Sequence, residues 1–391
     1  MDRWPRPLLP IGLGAALLIW FGIFCGYYFF SRGLDPSSNT LAGTLVNWDA
    51  KWYLDIAQNG YSYQPSSPAG QNIIFFPLYP LLLALLGKIL PFPLAPLGIC
   101  LAAGSGVLSL VFFHRFAEDH LDSSQAIAAT WIYALYPGAF FFASVYPTGL
   151  INVFALLALL AWHRQRSYLS AFWLGLGSAC GPLSVFFALA LWVILAAQAW
   201  QARHWRSLLP SLLRGFLACS GLLAFIVYQA VVFHTSLAFI EGHASYLGEL
   251  SASEKLLNIL QLYPFYGGDF TPLWQALQGK NTLLNPARSV YFFFNAFCLG
   301  ANLLALLTFL WRREWAWAWI SLVLIAAYLW FQGASQGPVS TYRLLYLNLP
   351  VFLLAGRLLP WRPLWGRLLL GTSVVALFLQ SAFFVSGHWA F

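Results

Sequence analysis

The stretch Leu8-Leu9-Pro10-Ile11-Gly12-Leu13-Gly14-Ala15-Ala16-Leu17-Leu18-Ile19-Trp20-Phe21-Gly22-Ile23-Phe24-Cys25-Gly26-Tyr27-Tyr28-Phe29-Phe30 contains no Asp, Glu, Lys or Arg. A helix needs roughly 20 consecutive apolar residues to cross the hydrocarbon core of a bilayer. This stretch meets that requirement and decides the fold class. Similar segments recur at roughly 73–90, 97–113, 126–146, 148–162, 168–182, 184–200, 211–233, 290–311, 315–331, 344–359 and 367–386. With 73–90 read as a re-entrant or interfacial arm, eleven spans are expected. The apolar runs are continuous rather than alternating, which selects helices over a membrane barrel. Across the chain 60% of residues are hydrophobic and 8% are charged, with a mean hydropathy of +0.70. A soluble domain carries about a quarter charged residues. The sequence therefore reads as an all-α polytopic membrane protein, one domain over 1–391, with nineteen Trp and eighteen Tyr suited to interfacial anchoring.

The net charge of +8 reads as an orientation signal, not a nucleic-acid footprint. Arg3, Arg6, Arg115, Arg164, Arg166, Arg203, Arg206, Arg214, Arg312, Arg313, Arg357, Arg362 and Arg367 fall on one side of the expected spans. That side is expected to be cytoplasmic, with the N-terminus on it and the C-terminus opposite. The first apolar stretch is too long for a signal-peptide core and lacks a clear small-residue cleavage site, so a retained helix is expected. Cys25, Cys100, Cys180, Cys219 and Cys298 all lie in apolar segments. Their spacing matches no metal motif and they read as small packing residues. Two long connections, 31–72 and 234–289, fall on the non-cytoplasmic side. Their many aromatics argue for order. In the second, Ser251-Ala252-Ser253-Glu254 reads as a capping box. The helix after it places Leu256, Leu257 and Leu260 on one side, either on the membrane surface or packed on the other loop.

The first connection carries Asn47-Trp48-Asp49-Ala50-Lys51-Trp52-Tyr53-Leu54-Asp55-Ile56-Ala57-Gln58-Asn59-Gly60-Tyr61. Carboxylates beside a bilayer are costly and usually functional. On a helix starting near Asn47, residues Asp49, Trp52, Tyr53 and Ile56 share a face while Asp55 points elsewhere. A carboxylate among aromatic rings suits a sugar: the acid binds a hydroxyl, and the rings cover the C–H faces. The same carboxylate can serve as a general base. The plain alternative is that Asp49 caps a surface helix while the tryptophans anchor it.

The segment Trp48–Tyr61 resembles the hallmark of the PIG-V mannosyltransferase family. Phe75-Phe76-Pro77-Leu78-Tyr79-Pro80-Leu81 resembles its second block. Leu135-Tyr136-Pro137-Gly138-Ala139-Phe140-Phe141-Phe142-Ala143-Ser144-Val145-Tyr146 and Tyr342-Arg343 with Asn348-Leu349-Pro350 resemble later, less specific elements. The resemblance implies a GT-C glycosyltransferase of a divergent, bacterial type in the inner membrane. It implies a polyprenyl-phosphate sugar as donor, transfer on the non-cytoplasmic face with inversion, and no other cofactor and no metal. The acceptor would be a lipid, glycan or protein hydroxyl, and membrane lipids would be the remaining partners. On that basis Asp49 is the expected catalytic carboxylate. Trp48, Lys51, Trp52, Tyr53, Asp55, Tyr61, Tyr79, Tyr146 and Arg343 are the expected substrate-binding residues. A leaving phosphate needs a cation; Arg343 suits it through paired hydrogen bonds, with Lys51 and Lys88 as rivals.

The chain departs from the family at two points. After Tyr146 the family has a small polar residue and then Glu-Ser, where this chain has Pro147-Thr148-Gly149. In the fifth span the family has an Arg, where this chain has Ser178-Ala179-Cys180-Gly181-Pro182-Leu183. Two other readings stand beside the transferase: a catalytically reduced relative that scaffolds a membrane complex, and a lipid-linked-sugar transporter. Polar groups gathered at one face favour an enzyme over an alternating-access carrier. Among weaker candidates, His234 and His243 flank Glu241 at spacings that fit no preferred metal pattern. Asp269 reads as a turn residue. His114, His120, His163 and His204 accompany arginines on the cytoplasmic side. Asn152, Asn295 and Asn302 lie inside spans, where they either link helices or line a polar cavity.

Overall fold

The computed structural model describes residues 7–30, 40–65, 71–203, 208–247, 250–267, 275, 278, 286–359 and 363–387, and among them every regular element is helical. Asp269 and His204 lie outside the described residues. Helix α1 (Leu8–Cys25) runs into a π-helical turn, Gly26–Phe30. The first long connection holds α2 (Ala50–Asn59). Helices α3 (Leu78–Ile89), α4 (Leu94–Glu118) and α5 (Ser123–Leu135) follow, then α6 (Thr148–His163), α7 (Ser167–Ser178) and α8 (Pro182–Arg203). Helices α9 (Leu208–Ala218) and α10 (Ser220–Phe233) form a pair bent by 62°. The second long connection carries α11 (Ala238–Leu247) and α12 (Ala252–Leu260). The chain ends through α13 (Pro286–Trp311), α14 (Trp315–Tyr328), the short α15 (Thr341–Leu344), α16 (Pro350–Leu358) and α17 (Pro363–Val385).

Six helices among the described residues are long and apolar enough to cross a membrane, or seven if the bent pair counts as one span. They are Leu8–Phe29, Leu94–Glu118, Pro182–Gln201, Val290–Trp311, Trp315–Gln336 and Leu364–Val385. The other expected spans are shorter or broken, largely at proline. Pro137 opens a 3-10 stretch, Pro137–Phe142, that interrupts the expected 126–146. Pro350 starts α16 and splits the expected 344–359. Proline lacks an N–H, and at Pro137 the preceding Tyr136 is held extended, with φ -63° and ψ 140°. The expected arm at 73–90 begins as a 3-10 turn at Asn72–Ile74 and becomes α3 only after Pro77.

Helix α6 is the centre of the bundle. It packs against α4, α7 and α8, and most of its residues are buried. Surrounded by protein, it can be short; an outer helix must match the bilayer by itself. Small residues let helices approach. A Cβ at Gly26 would lie 2.4 Å from the Ala382 carbonyl oxygen on α17, and one at Gly175 would lie 2.3 Å from the Leu217 carbonyl oxygen on α9. Such close backbone contact is a main way for membrane helices to associate, because lipid removes the hydrophobic drive between them. Asn302 and Asn348 link helices as expected of buried amides: Asn348 Nδ2 donates to Asn302 Oδ1 at 2.9 Å, and Ser321 Oγ donates to Asn348 Oδ1 at 3.0 Å.

The two long connections meet. Gly242 on α11 sits so close to the first connection that a Cβ there would lie 3.0 Å from a methyl carbon of Ile73 and 3.0 Å from one of Ile74. The Tyr63 hydroxyl donates to Glu241 Oε2. The capping box on α12 is present, with Ser251 and Glu254 each satisfying the other's backbone N–H. Leu256, Leu257 and Leu260 are exposed, so they do not pack on the first connection. Instead α12 docks through its other side: Asn258 Nδ2 donates to the Ala334 carbonyl at 2.7 Å, and Lys255 lies over the Trp330 ring.

Candidate active site

The chain around Asp49 is fixed before Asp49 is reached. Ser144 Oγ donates to the Leu45 carbonyl at 2.6 Å, and Asn47 Nδ2 donates to the Phe384 carbonyl of α17 at 3.0 Å. Trp48 then adopts φ 60°, a left-handed conformation that bulky residues avoid. Such a conformation costs about 1–3 kcal/mol and persists only when its surroundings impose it. It turns the backbone so that Asp49 heads α2. Asp49 occupies the N-cap position, yet its side chain makes no capping hydrogen bond. Its Oδ2 accepts a hydrogen bond from Arg343 Nη1 at 2.6 Å.

Arg343 is positioned with equal care. Ser340 is also left-handed, with φ 55°. The Tyr291 hydroxyl accepts its N–H at 2.9 Å, and Asn295 Oδ1 accepts the Thr341 N–H at 2.6 Å. Tyr328 bonds the Thr341 hydroxyl at 2.6 Å. These contacts anchor α15 to α13 and α14 and aim Arg343 at Asp49. The guanidinium carbon lies 5.4 Å from the Tyr146 ring centre and 5.7 Å from that of Phe141, within cation–π range. Both charged side chains are mostly covered, at 17% and 18% exposed. A pair held this way is weak evidence for stability and costs much to break from one side.

The pair stands on the wall of a cavity of about 170 Å³. Of the residues expected at the site, Asp49, Tyr53, Tyr146 and Arg343 line it. Tyr53 packs edge-on against Phe75, Tyr79 and Tyr146. Burial, and then the Asp49 charge, push its hydroxyl far above the usual tyrosine value, so it remains protonated. The others lie off the cavity. Asp55 instead ties the loop: its Oδ2 accepts from Asn72 Nδ2 at 2.8 Å and its Oδ1 from Asn59 Nδ2 at 2.8 Å. Asn72 also donates to the Gly60 carbonyl and accepts the Ser62 N–H. Trp52 stacks on Phe75, the Tyr61 hydroxyl donates to the Phe75 carbonyl, and the Tyr79 hydroxyl donates to the Gly98 carbonyl. These three brace the wall from behind. Trp48 and Lys51 face outward, as does Lys88, so the rival cations do not reach the cavity.

Other residues reach the cavity that the sequence does not mark for it. His243 does, from α11, although its spacing suggests no more than a weak metal ligand. Among the described residues no group of three His, Cys, Asp or Glu is arranged to hold a metal. Gln332 and Gln336 reach it from the π-helical turn Leu329–Gly333 and the turn after it. A local widening of this kind is frequent at functional sites. Asn152 lines it too. The two departures from the family pattern face the same space: Pro147 and Thr148 on one side, Cys180, Gly181 and Pro182 on another. Cys180 is a free, buried thiol. Sequence periodicity cannot find His243 or Gln332, because each belongs to the site only through the way its element docks.

A family model described as Mannosyltransferase (PIG-V) matches residues 29–265, more than half of the chain. GPI alpha-1,6-mannosyltransferase 2 of Cricetulus griseus is 31% identical over 173 residues, which is 41% of this chain and 34% of that protein. The same-named protein of Rattus norvegicus is 30% identical over 173 residues, with the same coverage. The chain thus spans about a third of the length of these relatives.

Proposed function

Since this chain belongs to the Mannosyltransferase (PIG-V) family, we propose that it transfers mannose, or a related sugar, from a polyprenyl phosphate to an acceptor hydroxyl. The observation that carries this reading is the Asp49–Arg343 pair on the cavity wall. The acceptor is a lipid, glycan or protein hydroxyl. Asp49 takes the acceptor proton as the oxygen attacks the anomeric carbon. The carbon–oxygen bond to phosphate breaks, its electron pair leaves with polyprenyl phosphate, and the configuration inverts. Arg343 neutralises the departing phosphate through parallel hydrogen bonds. No further cofactor enters the reaction. The fold is read as GT-C-like, with eleven crossings once the shorter helices are included. The cavity then faces the non-cytoplasmic side of a bacterial plasma membrane.

In-line displacement sets a condition on the pair. Nucleophile and leaving group lie on opposite faces of the anomeric carbon, so a base and a phosphate-binding cation cannot stay in direct contact during the reaction. The closed pair is therefore the resting state. The donor phosphate draws Arg343 away and releases Asp49 to accept a proton. Asp49→Asn is the test. It keeps the shape and removes the base, so transfer from mannosyl polyprenyl phosphate in vesicles should fall by about 10²–10⁴-fold. Donor binding should persist. Transfer within a few-fold of the unaltered protein would remove Asp49 from the chemistry. The scaffold reading draws on the uncharged side chains that Pro147, Thr148 and Cys180 present to the cavity; transfer by the unaltered protein argues against it.

A further inference from the structure

The cavity holds a buried polar side chain that the reaction above does not use. Asn152 lies on α6, one helical turn beyond Thr148, and is 1% exposed. Its Nδ2 donates to the Tyr133 hydroxyl at 3.0 Å, while its Oδ1 is buried without a hydrogen-bond partner. Whichever way the amide is turned, one end is spent on Tyr133 and the other meets nothing. The great majority of buried polar atoms find a partner, and an exception calls for one. Asn152 lines the same cavity as Asp49 and Arg343, so a ligand that shifts the amide slightly towards the cavity supplies the missing partner.

We infer that Asn152 reads one hydroxyl of the transferred sugar and so helps to set which sugar is accepted. This rests on the glycosyl-transfer reading given above. The cavity wall includes Ile151, Leu183 and Phe75, whose side chains offer no donor. An apolar ligand would leave the free amide end orphaned whichever way it is turned, and an anion would suit only one of the two orientations. A hydroxyl donates to it, and a hydroxyl also accepts, so it suits either orientation of the amide. Thr148 adds a hydroxyl on the same helix face, with its Cβ about 5–6 Å from that of Asn152, able to meet a neighbouring position of the same ring. The cavity offers roughly ten water-sized positions, the scale of one sugar ring. The discrimination follows from the burial: a site built to hydrogen-bond a hydroxyl rejects the analogue that lacks it, because its own polar atom is left unpaired.

The test uses the full chain in nanodiscs, with methyl α-mannoside and its monodeoxy analogues as probes, read by saturation-transfer NMR. One deoxy analogue should bind roughly fivefold to tenfold more weakly than the parent, the worth of one neutral hydrogen bond. Asn152→Ala should weaken the parent by the same factor and leave that one analogue unchanged. Equal weakening of every analogue by Asn152→Ala assigns the residue a merely structural role and overturns the proposal. So does equal affinity across the deoxy series on the unaltered protein, a result that needs no variant to fold, or the absence of any sugar binding. Failure of the transferase reading looks different: hydroxyl-dependent sugar binding intact, with no transfer from mannosyl polyprenyl phosphate.

Discussion

Asp49 shows how one residue's role depends on where its oxygens go. At the head of α2 it is placed to cap the helix, and a capping carboxylate would accept the first N–H groups. It does not; Arg343 takes that oxygen. The surroundings of His243 decide its charge in the same way. Burial, with Lys255 adding to it, holds its imidazole below the usual range, opposed by a weaker backbone contact. The folded protein then binds this proton less readily than the unfolded chain does. Its contribution to stability is present above about pH 6.5 and is lost as pH falls through the lowered folded value. We expect the melting temperature in detergent to decline from pH 7 to pH 5, and His243→Gln to make that slope shallower. An identical slope in the variant would assign the acid sensitivity to other groups.

At the scale of elements, the site depends on two connections that are locked to each other and both contribute to the cavity wall. The Tyr63 hydroxyl is pushed up to about 12, chiefly by its hydrogen bond to Glu241. That bond joins the first connection to α11, the helix that brings His243 to the cavity. Tyr63→Phe keeps the ring and removes the bond. Amide hydrogen exchange over 238–247 should become faster while α6 keeps its protection. Unchanged exchange would mean that the packing of Gly242 on Ile73 and Ile74 holds α11 without help. The same logic explains Asp55. It spends both oxygens on Asn59 and Asn72, so it secures the first connection rather than reaching the cavity.

For the whole molecule, the proposed orientation puts the Asp49 end of the bundle on the non-cytoplasmic side. The assignment predicts labelling. With the five native cysteines replaced, Ser253→Cys should react with a membrane-impermeant thiol reagent in intact cells, and Gln165→Cys only after permeabilisation. Both positions are exposed. The reverse pattern would invert the orientation and move the donor to the cytoplasmic side. The opposite end has its own anchor, where Arg357 Nη1 donates to Glu314 Oε1 at 2.6 Å. Two charged side chains there partner each other and leave the site's charges unshared.

The sequence alone determined the membrane class, because a run of uncharged apolar residues has a physical length that can be compared with a bilayer. It determined the family, because the Trp48–Tyr61 and Phe75–Leu81 blocks are local patterns. It brought Asp49 forward because charge beside lipid is rare enough to stand out, and Arg343 because a leaving phosphate needs a cation. Only the tertiary structure joined them, across 294 positions of chain, through backbone turns at Trp48 and Ser340 that no propensity would favour. It alone turned Asp55, Tyr61 and Tyr79 into supports and brought His243, Gln332 and Asn152 to the cavity. Periodicity tells which residues share a face of one helix. Which face meets a cavity is settled by how the helices pack, and that is a property of the whole bundle.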